Sequence, residues 1–291
     1  MDDQDEIPRR GFLRTGVAAL AAWDGLMAGG AERPEAVTIG LFADPHYADR
    51  EPWIGRHFRD SDEKLAEFVK AMNEAKPDFA ICLGDLVDKG ETLDAETGYL
   101  KHIDGIYRKF DGRRHYVIGN HDVATFTKEQ FLAATGMPAA HYSFDSGPLH
   151  CVVLDANFKE DMTPYSAGNF DWTDTWVPPG QQRWLAADLK KTEKKTLVFV
   201  HQALDDEKGT DGVKNGDQVR KILEESGKVL AVFCGHNHRG AYRQIHGIPY
   251  FTLRAMVEGP GLENNAYALA RISPEGAIEP RGFGKQPSRT P

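Results

Sequence analysis

The sequence predicts an α/β fold in which helices cover layered, mixed β-sheets. In the first part of the chain, short apolar strands alternate with helical segments, which is typical of strand–helix units in a sheet. In the last third, strands follow one another directly, which indicates additional strands in a mixed sheet. The 291 residues are 41% hydrophobic and 27% charged, as in a globular protein.

The first 35 residues predict an export signal rather than part of this fold. The pair Arg9–Arg10 precedes a short apolar stretch, Val17–Trp23, in an arrangement that resembles a twin-arginine signal. The stretch is too short to span a bilayer, and the small residues Ala28–Ala31 offer a cleavage site. We therefore expect periplasmic or extracellular localisation with only transient membrane contact. The alternative is an ordinary N-terminal tail, either disordered or amphipathic.

Residues 36–291 predict a single domain, since they contain no internal repeat and no mid-chain linker. The apolar run Ala36–Ala43 predicts the first strand. Ser61 is the predicted N-cap of the first helix, which ends before Pro77. The next strands are predicted at Phe79–Leu83 and His115–Ile118.

The second half of the domain begins with a predicted hairpin, because a Ser-Gly-Pro turn separates two apolar runs. Two helices follow, and the first of them has Trp184, Leu185 and Leu189 on one side. In chain order, the predicted elements are strands Tyr142–Phe144 and Leu149–Leu154, helix Gln181–Lys191, strand Thr196–Val200, helix Gln218–Glu225, and strands Val229–Cys234, Ala241–Ile245, Tyr250–Leu253 and Ala266–Ile272.

The segment Asn157–Pro179 is predicted to be a long loop, since it is rich in Asp, Trp, Pro and Gly. Long loops inside compact domains often carry function. Trp172 and Trp176 either face a substrate or fix the loop to the core, and the sequence does not separate these two interpretations.

Charge and cysteine content exclude several classes of protein. The formal net charge of −9, without any long basic run, argues against nucleic acid as a partner and favours a small-molecule substrate. Cys82, Cys151 and Cys234 each lie in an apolar strand-like run, so we expect three buried core residues. An odd number of cysteines without a CxxC pair argues against a disulfide framework or a cysteine-based zinc site. Nothing in the sequence sets the oligomeric state.

Polar residues that suit metal binding follow the predicted strands at five points. Side chains at the carboxyl ends of neighbouring strands converge at one edge of an α/β sheet. Carboxylates and imidazoles are common ligands of manganese, iron and zinc. The five segments are Asp44-Pro45-His46, Gly84-Asp85, Gly119-Asn120-His121-Asp122, His201 and Gly235-His236-Asn237-His238.

This series of motifs resembles the calcineurin-like metallophosphoesterase superfamily, and the resemblance covers Val37 to about Arg281. It implies an α/β/β/α sandwich with two mixed β-sheets and a dinuclear metal site at the strand carboxyl ends. Three further segments, Ile39–Asp49, Gly180–Leu185 and Gly282–Pro287, are similar to the branch of manganese-dependent ADP-ribose/CDP-alcohol diphosphatases.

The resemblance also implies the ligands of two divalent ions, with Mn as the first choice and Fe or Zn as alternatives. One ion would be held by Asp44, His46 and His238. The other would be held by Asn120, His201 and His236, and Asp85 would bridge both.

Two further residues receive catalytic roles from the same resemblance. His121 would face the phosphate and the leaving group without binding metal, and Asp88 would orient His121. Related phosphatases often have Arg at the next position, where this chain has Lys89, to which we assign no role because lysine lacks the bidentate guanidinium fork. Asp122 is interpreted as a structural turn residue.

These residues together predict a metal-dependent hydrolase of phosphoester bonds. The leading hypothesis is hydrolysis of phosphodiester or pyrophosphate bonds in nucleotide-type small molecules. It uses in-line attack by a metal-bridging hydroxide, with His121 as general acid. The alternative is a phosphomonoesterase with the same dinuclear site. A nuclease or a non-catalytic metal-binding module is a weaker alternative, since the chain is acidic and retains every ligand.

Overall fold

The computed structural model describes residues 36–206 and 212–289. The predicted export signal lies outside these residues, so its interpretation stays a prediction. Within the described ranges, none of the helices combines the length and the apolar character needed to cross a membrane.

The first sheet has five strands in the order β11-β10-β1-β2-β3. Strands β1 to β3 are parallel, and β10 and β11 add to the β1 edge in antiparallel pairs. The strands are β1 (Val37–Phe42), β2 (Phe79–Cys82), β3 (Arg113–Tyr116), β10 (Ala266–Ile272) and β11 (Ile278–Gly284).

The second sheet has six strands in the order β4-β5-β6-β7-β9-β8. Its four inner strands are parallel, whereas β4 and β8 pair antiparallel at the two edges. The strands are β4 (Tyr142–Ser146), β5 (Leu149–Val153), β6 (Lys195–Phe199), β7 (Val229–Cys234), β8 (Arg239–Ile245) and β9 (Ile248–Arg254).

Helices cover the outer faces of both sheets. Phe42 at the end of β1 packs against Phe68 and Tyr107, which lie on the first two helices. Leu185 and Val219, on the fourth and fifth helices, join the apolar cluster outside the second sheet. The helices are α1 (Ser61–Ala75), α2 (Leu93–Tyr107), α3 (Lys128–Thr135), α4 (Pro179–Lys191) and α5 (Gly216–Ser226).

The main core lies between the two sheets. Ile39 and Leu41 of the first sheet belong to the same buried cluster as Phe199 and Phe233 of the second. Alternate residues of β1 therefore face the inter-sheet core and the helices, as strand geometry requires. The predicted α/β/β/α sandwich with two mixed sheets is confirmed. The three cysteines are buried and free, as expected.

Several details of the sequence interpretation need correction. Ser61 is the first residue of α1 and not its N-cap, which is Asp60. The Ser61 hydroxyl instead donates to the carbonyl oxygen of Pro45, so it ties α1 to the first metal-binding motif. Helix α2 was not predicted, because Gly98 and Gly105 interrupt its apolar pattern.

Candidate metal centre

The predicted ligands all follow strand ends at one edge of the two sheets. Asp44 lies two residues after β1, and Asp85 three residues after β2. In the second sheet, His201 and His236 each lie two residues after a parallel strand, and His238 directly precedes β8. The two sheets therefore deliver carboxylates and imidazoles to the same place.

The backbone at this edge is strained. Asp44, His46, Asp85 and His236 all have positive φ angles, between 44° and 67°, which non-glycine residues seldom adopt. Such conformations cost about 1–3 kcal/mol each and cluster at functional sites.

Glycines beside the ligands leave no room for a side chain. A Cβ atom on Gly119 would lie 2.1 Å from the Asp85 carboxylate, and one on Gly235 would lie 2.8 Å from that of Asp44. On Gly84, which has φ +101°, a Cβ atom would lie 2.5 Å from the His201 ring. The motif glycines therefore permit the close approach of the ligands.

The first ligand group contains Asp44, His46 and His238, whose ligand atoms lie within 4.8 Å of one another. The Nε2 atoms of His46 and His238 are 3.1 Å apart. Asp44 Oδ1 lies 3.8 Å from the first of these atoms and 3.9 Å from the second. Two ring nitrogens and a carboxylate oxygen that converge in this way form a suitable donor set for a divalent cation.

The second ligand group contains Asp85, His201 and His236 and meets the same distance limit. Asp85 Oδ2 lies 3.2 Å from Nε2 of His201 and 3.4 Å from Nε2 of His46, so one carboxylate oxygen reaches both groups. The predicted bridging position of Asp85 is therefore geometrically available.

Asn120 contributes an amide oxygen that hydrogen bonds do not explain. Its side chain is buried, and Oδ1 has no hydrogen-bond partner among the described residues. The next residue, His121, donates its backbone N–H to Asp85 Oδ1 at 2.8 Å, which brings Asn120 to the same edge. Because a buried polar atom without a partner is costly, a bound cation is a suitable partner for this oxygen. The residues present therefore fit a dinuclear metal site.

Hydrogen bonds from Nδ1 fix the ring orientation of two ligands, His201 and His238, and Nδ1 of a third, His46, lies beside a carboxylate, so that Nε2 is left for a metal in all three. His201 donates to the carbonyl of Leu83 at 2.7 Å. His238 donates to Glu258 Oε1 at 2.6 Å, and His46 Nδ1 lies 3.3 Å from Asp88 Oδ2. Carboxylate–histidine pairs of this kind fix the tautomer and raise the basicity of the ligand nitrogen.

Asp88 contacts more groups than the sequence predicted. Its Oδ1 lies 3.3 Å from Nδ1 of His121, the predicted contact, while Oδ2 lies the same distance from His46. The guanidinium groups of Arg50 and Arg56 lie 3.3 Å and 3.5 Å from Oδ2. A single buried carboxylate thus connects the acid candidate, a metal-ligand candidate and two arginines. Lys89 contributes only a backbone N–H to Asp88.

His121 also lies within ligand distance of His46 and Asp85, as a third cluster of the same kind. Burial alone would lower the pKa of His121, but the carboxylates of Asp85 and Asp88 outweigh it and raise the pKa above its usual value. A raised pKa favours the protonated form of this imidazole, which is the form that can donate a proton.

Burial and neighbouring charges also shift the pKa values of the other ionisable groups at the site. Burial lowers the pKa values of His46 and His236 to about 3, so both imidazoles are neutral, as metal ligands must be. Burial raises the pKa of Asp44. The same burial would raise the pKa of Asp85, but His201, His121 and His46 hold it well below the usual range.

Asp122 has the structural role that was expected. Its carboxylate accepts backbone N–H groups from Gly119 at 2.8 Å, Asp85 at 2.9 Å and Leu86 at 2.7 Å, with a longer contact to Val87 at 3.3 Å. It therefore joins the loop after β2 to the loop after β3, and both loops carry predicted ligands.

The two tryptophans of the long loop have different surroundings. Trp172 is 49% exposed, and its ring centroid lies 6.2 Å from that of His236. Phe170 lies 5.9 Å from the His121 ring in the same way. Trp176 donates its indole N–H to Asp174 within the loop, at 2.7 Å. The loop therefore presents Phe170 and Trp172 to the metal edge, while Trp176 stabilises the loop.

Sequence reasoning missed Glu258, Arg50 and Arg56. Glu258 lies 20 residues beyond His238, in the segment after β9, and no motif marks it. The two arginines lie in the loop after the first motif, where positive charge alone gives no functional signal. Only the fold brings these three residues to the ligands.

The fold and the site together define a dinuclear metallophosphoesterase. The sequence model of the calcineurin-like phosphoesterases matches residues 37–240, and the chain belongs to this family. It is accordingly a phosphoester hydrolase.

Curated relatives are similar over most of their length. A manganese-dependent ADP-ribose/CDP-alcohol diphosphatase from Oryza sativa is 25% identical, over 83% of this chain and 89% of the relative. The protein of the same name from Arabidopsis thaliana is also 25% identical, over 80% and 90%. A glycerophosphodiester phosphodiesterase from Enterobacter lignolyticus is 22% identical, over 79% and 85%.

Solved structures show the same fold. A dimetal phosphatase from Danio rerio superimposes with a TM-score of 0.72 at 20% identity, over 88% of this chain and 99% of that one. A purple acid phosphatase from yellow lupin gives a TM-score of 0.58 at 11% identity, over 89% of this chain and 53% of that one.

Proposed function

We propose that this chain hydrolyses phosphodiester or pyrophosphate bonds of nucleotide-type small molecules with two divalent metal ions, of which manganese is the first candidate. The observation that carries the proposal is the position of Asp85, whose carboxylate reaches ligands of both groups. The similarity to the manganese-dependent ADP-ribose/CDP-alcohol diphosphatases of Oryza sativa and Arabidopsis thaliana supports this substrate class and this metal.

In this proposal Asp44, His46 and His238 would hold one ion, Asn120, His201 and His236 would hold the other, and Asp85 would be shared between the two sites. When bound, two cations supply positive charge for the phosphoryl oxygens and activate water as the nucleophile. The protein contributes the fixed ligand geometry and the hydrogen bonds that orient each imidazole.

His121 acts as the general acid. Its Nδ1 is oriented by Asp88, which leaves Nε2 to carry a proton toward the leaving oxygen. Arg50 and Arg56 offset the charge of Asp88, so this carboxylate can contact His46 and His121 together. Asp88 is therefore a positioning residue in this scheme.

The twin-arginine-type signal supports export, and we place the enzyme in the periplasm or outside the cell. No nucleic-acid partner is proposed, since the acidic chain has no long basic run.

The proposal is tested by hydrolysis with purified, metal-stripped protein to which Mn, Fe, Zn or Mg is returned. ADP-ribose, a CDP-alcohol, a bis-aryl phosphodiester and an aryl phosphomonoester are offered side by side. His121→Ala and Asp85→Asn should each lose activity by about a hundredfold or more. His102→Ala, an exposed histidine outside the site, is the matched control.

The proposal is supported if ADP-ribose, the CDP-alcohol and the bis-aryl phosphodiester are hydrolysed only with metal and if both variants lose this activity. Preference for the aryl monoester would replace it with phosphomonoesterase activity. Absence of turnover on every substrate, with metal bound, would contradict it.

A further inference from the structure

We propose that the cleft beside His238 binds an additional phosphate monoester of the substrate, so that the enzyme prefers nucleotide substrates phosphorylated on the ribose. This inference rests on the proposed function, because the cleft adjoins the metal centre. The cleft has a volume of about 650 Å³, and its walls include His238, Glu258, Arg239, Arg254 and Lys285.

Arg239 and Arg254 form a cross-strand pair of like charge. They lie directly opposite each other in the antiparallel register of β8 and β9, so their side chains leave the same face of the sheet. Like charges in this position destabilise a sheet. A shared anion bound between the two guanidinium groups would offset this repulsion, which is why we expect such a pair at an anion site.

Lys285 adds a third cation on the same cleft. The backbone N–H of Lys285 donates to the carbonyl of Asn265 at 2.7 Å. The neighbouring Gln286 accepts the backbone N–H of Arg254 at 2.8 Å. The segment that carries Lys285 is therefore fixed to β9, next to the arginine pair.

These three cations lack ion-pair partners in the part of the chain that the structure describes. Within residues 36–206 and 212–289, none of the ion pairs at 4.0 Å or less involves Arg239, Arg254 or Lys285. Glu258 also lines the cleft, but its Oε1 accepts from His238. In a chain of net charge −9, such a cluster is a local site for anions.

The geometry favours a phosphate group over a carboxylate or a single small anion. Two guanidinium groups and an ammonium on one cleft offer more donors than a carboxylate can accept, whereas a phosphate monoester carries two charges and three acceptor oxygens. Because Arg239 directly follows the metal-ligand candidate His238, one substrate can contact both the metals and the cleft.

The outer wall of the cleft includes an exposed apolar residue. Ile54 is 74% exposed and has a φ of +50°, a strained conformation for a β-branched residue. Gly55 also has positive φ, and Trp53 and Arg56 exchange backbone hydrogen bonds across this turn. The turn thus holds an aliphatic surface against which the base or sugar of a nucleotide can pack.

The test compares ligands that differ only in the additional phosphate. ADP-ribose is compared with its 2′-phosphate in steady-state kinetics, and coenzyme A with dephospho-coenzyme A. Binding of AMP, adenosine 2′,5′-bisphosphate and adenosine 3′,5′-bisphosphate is measured by calorimetry on the manganese-loaded protein. In at least one pair, we expect the ligand with the additional phosphate to exceed its partner about tenfold or more in kcat/KM and in affinity.

The variant Arg239→Gln/Arg254→Gln should reduce this preference to less than about threefold while retaining the basal activity toward ADP-ribose. It should be at least as stable as wild type, because the like-charge pair is removed. The control Arg183→Gln/Lys221→Gln makes the same charge change at exposed positions on α4 and α5 and should keep the preference. Lys285→Gln provides an independent single variant if the double variant does not fold.

The possible failures are distinguishable. The cleft assignment would be overturned by equal binding and turnover of the two members of each ligand pair. It would also be overturned if the variants kept the wild-type preference for the phosphorylated member. In either case, metal-dependent hydrolysis would leave the proposed function intact. If hydrolysis fails for every substrate, the calorimetric comparison still decides the cleft. Failure of both bisphosphates to bind more tightly than AMP overturns the assignment.

Discussion

At the scale of single residues, the site depends on how each imidazole is held as well as on which imidazoles are present. His201 is oriented by a backbone carbonyl and His238 by the carboxylate of Glu258, whereas Nδ1 of His46 lies 3.3 Å from the carboxylate of Asp88 without a hydrogen bond. Carboxylate partners raise the electron density at Nε2, so the two kinds of ligand differ in basicity. The first ligand group contains both rings that have a carboxylate beside Nδ1.

Glu258 is therefore expected to control metal affinity at the first ligand group. Replacement of Glu258 by Ala removes the acceptor of the His238 Nδ1–H, and metal affinity at one of two sites should fall about tenfold to hundredfold. Titration calorimetry with Mn²⁺ measures this change. Glu263→Ala, an exposed acid in the same segment, is the control, and equal affinities in Glu258→Ala and wild type would refute the role.

At this scale, sequence motifs located the ligand candidates but not their supporting residues. Asp44, Asp85, His201 and His236 were predictable because each follows an apolar strand at a fixed short distance. Glu258 was not, since its contact with His238 depends on the path of the segment after β9. Asp88 was predicted for His121 alone, and its second contact, with His46, arises only from the way the loops after β1 and β2 meet in the fold.

At the scale of secondary-structure elements, the loops after β2 and β3 act as one unit. The Asp122 carboxylate accepts backbone N–H groups from both loops. A second link between the loops is the hydrogen bond that the backbone N–H of His121 donates to the Asp85 carboxylate. The carboxylate of Asp122 thus holds the bridging ligand candidate in its strained backbone conformation.

Asp122→Ala should be strongly destabilising because it leaves several buried N–H groups without an acceptor. We expect a loss of about 3 kcal/mol or more in the free energy of unfolding. Urea denaturation measures it, with the exposed turn residue Asp111→Ala as control. A loss below about 1 kcal/mol would show that the loops do not depend on this carboxylate.

Strand β3 contains a histidine that should make stability depend on pH. His115 stacks on Phe144 with ring centroids 3.6 Å apart, and burial, assisted by Arg113, lowers its pKa to about 4. Between pH 7.5 and 5 the unfolded chain, in which the pKa is about 6.5, takes up a proton that the folded protein does not. This residue's contribution to stability is therefore present at neutral pH and lost as pH falls.

Urea denaturation of wild type and His115→Gln at pH 7.5 and pH 5 isolates this effect. Wild type should lose about 2 kcal/mol more than the variant over this interval. His102→Gln, which changes an exposed histidine, should behave as wild type. Identical pH dependence in wild type and His115→Gln would mean that His115 titrates normally in the fold.

Strands and helices were predicted correctly where the apolar residues of the sequence followed a clear pattern. Val229–Cys234 and Ala266–Ile272 were predicted with the bounds that the structure has. Helix α2 was missed because its glycines break the apolar pattern. Its N-cap residue is nevertheless a threonine, since the Thr92 hydroxyl accepts a hydrogen bond from the backbone N–H of Ala95. Strand β11 was missed as well, since Pro280 and Gly282 weaken a strand signal, and pairing with β10 outweighs that local preference.

At the scale of the whole molecule, packing of the two sheets face to face creates the site. Phe199 and Phe233 meet Ile39 and Leu41 in the inter-sheet core, which aligns the carboxyl ends of parallel strands from both sheets. The layered fold was predictable from the order of strands and helices. The relative positions of the loops that form the cationic cleft were not, because they depend on the antiparallel β8–β9 and β10–β11 pairs.

Metal stoichiometry tests the central claim most directly. Metal-stripped wild type is titrated with Mn²⁺, and the bound ions are counted by calorimetry and by elemental analysis after gel filtration. We predict two ions per chain for wild type, and loss of at least one of them in Asp85→Asn, because this carboxylate reaches both ligand groups. The exposed variant Asp111→Asn should keep both ions. A single ion in wild type, or two ions retained at full affinity in Asp85→Asn, would contradict the dinuclear site.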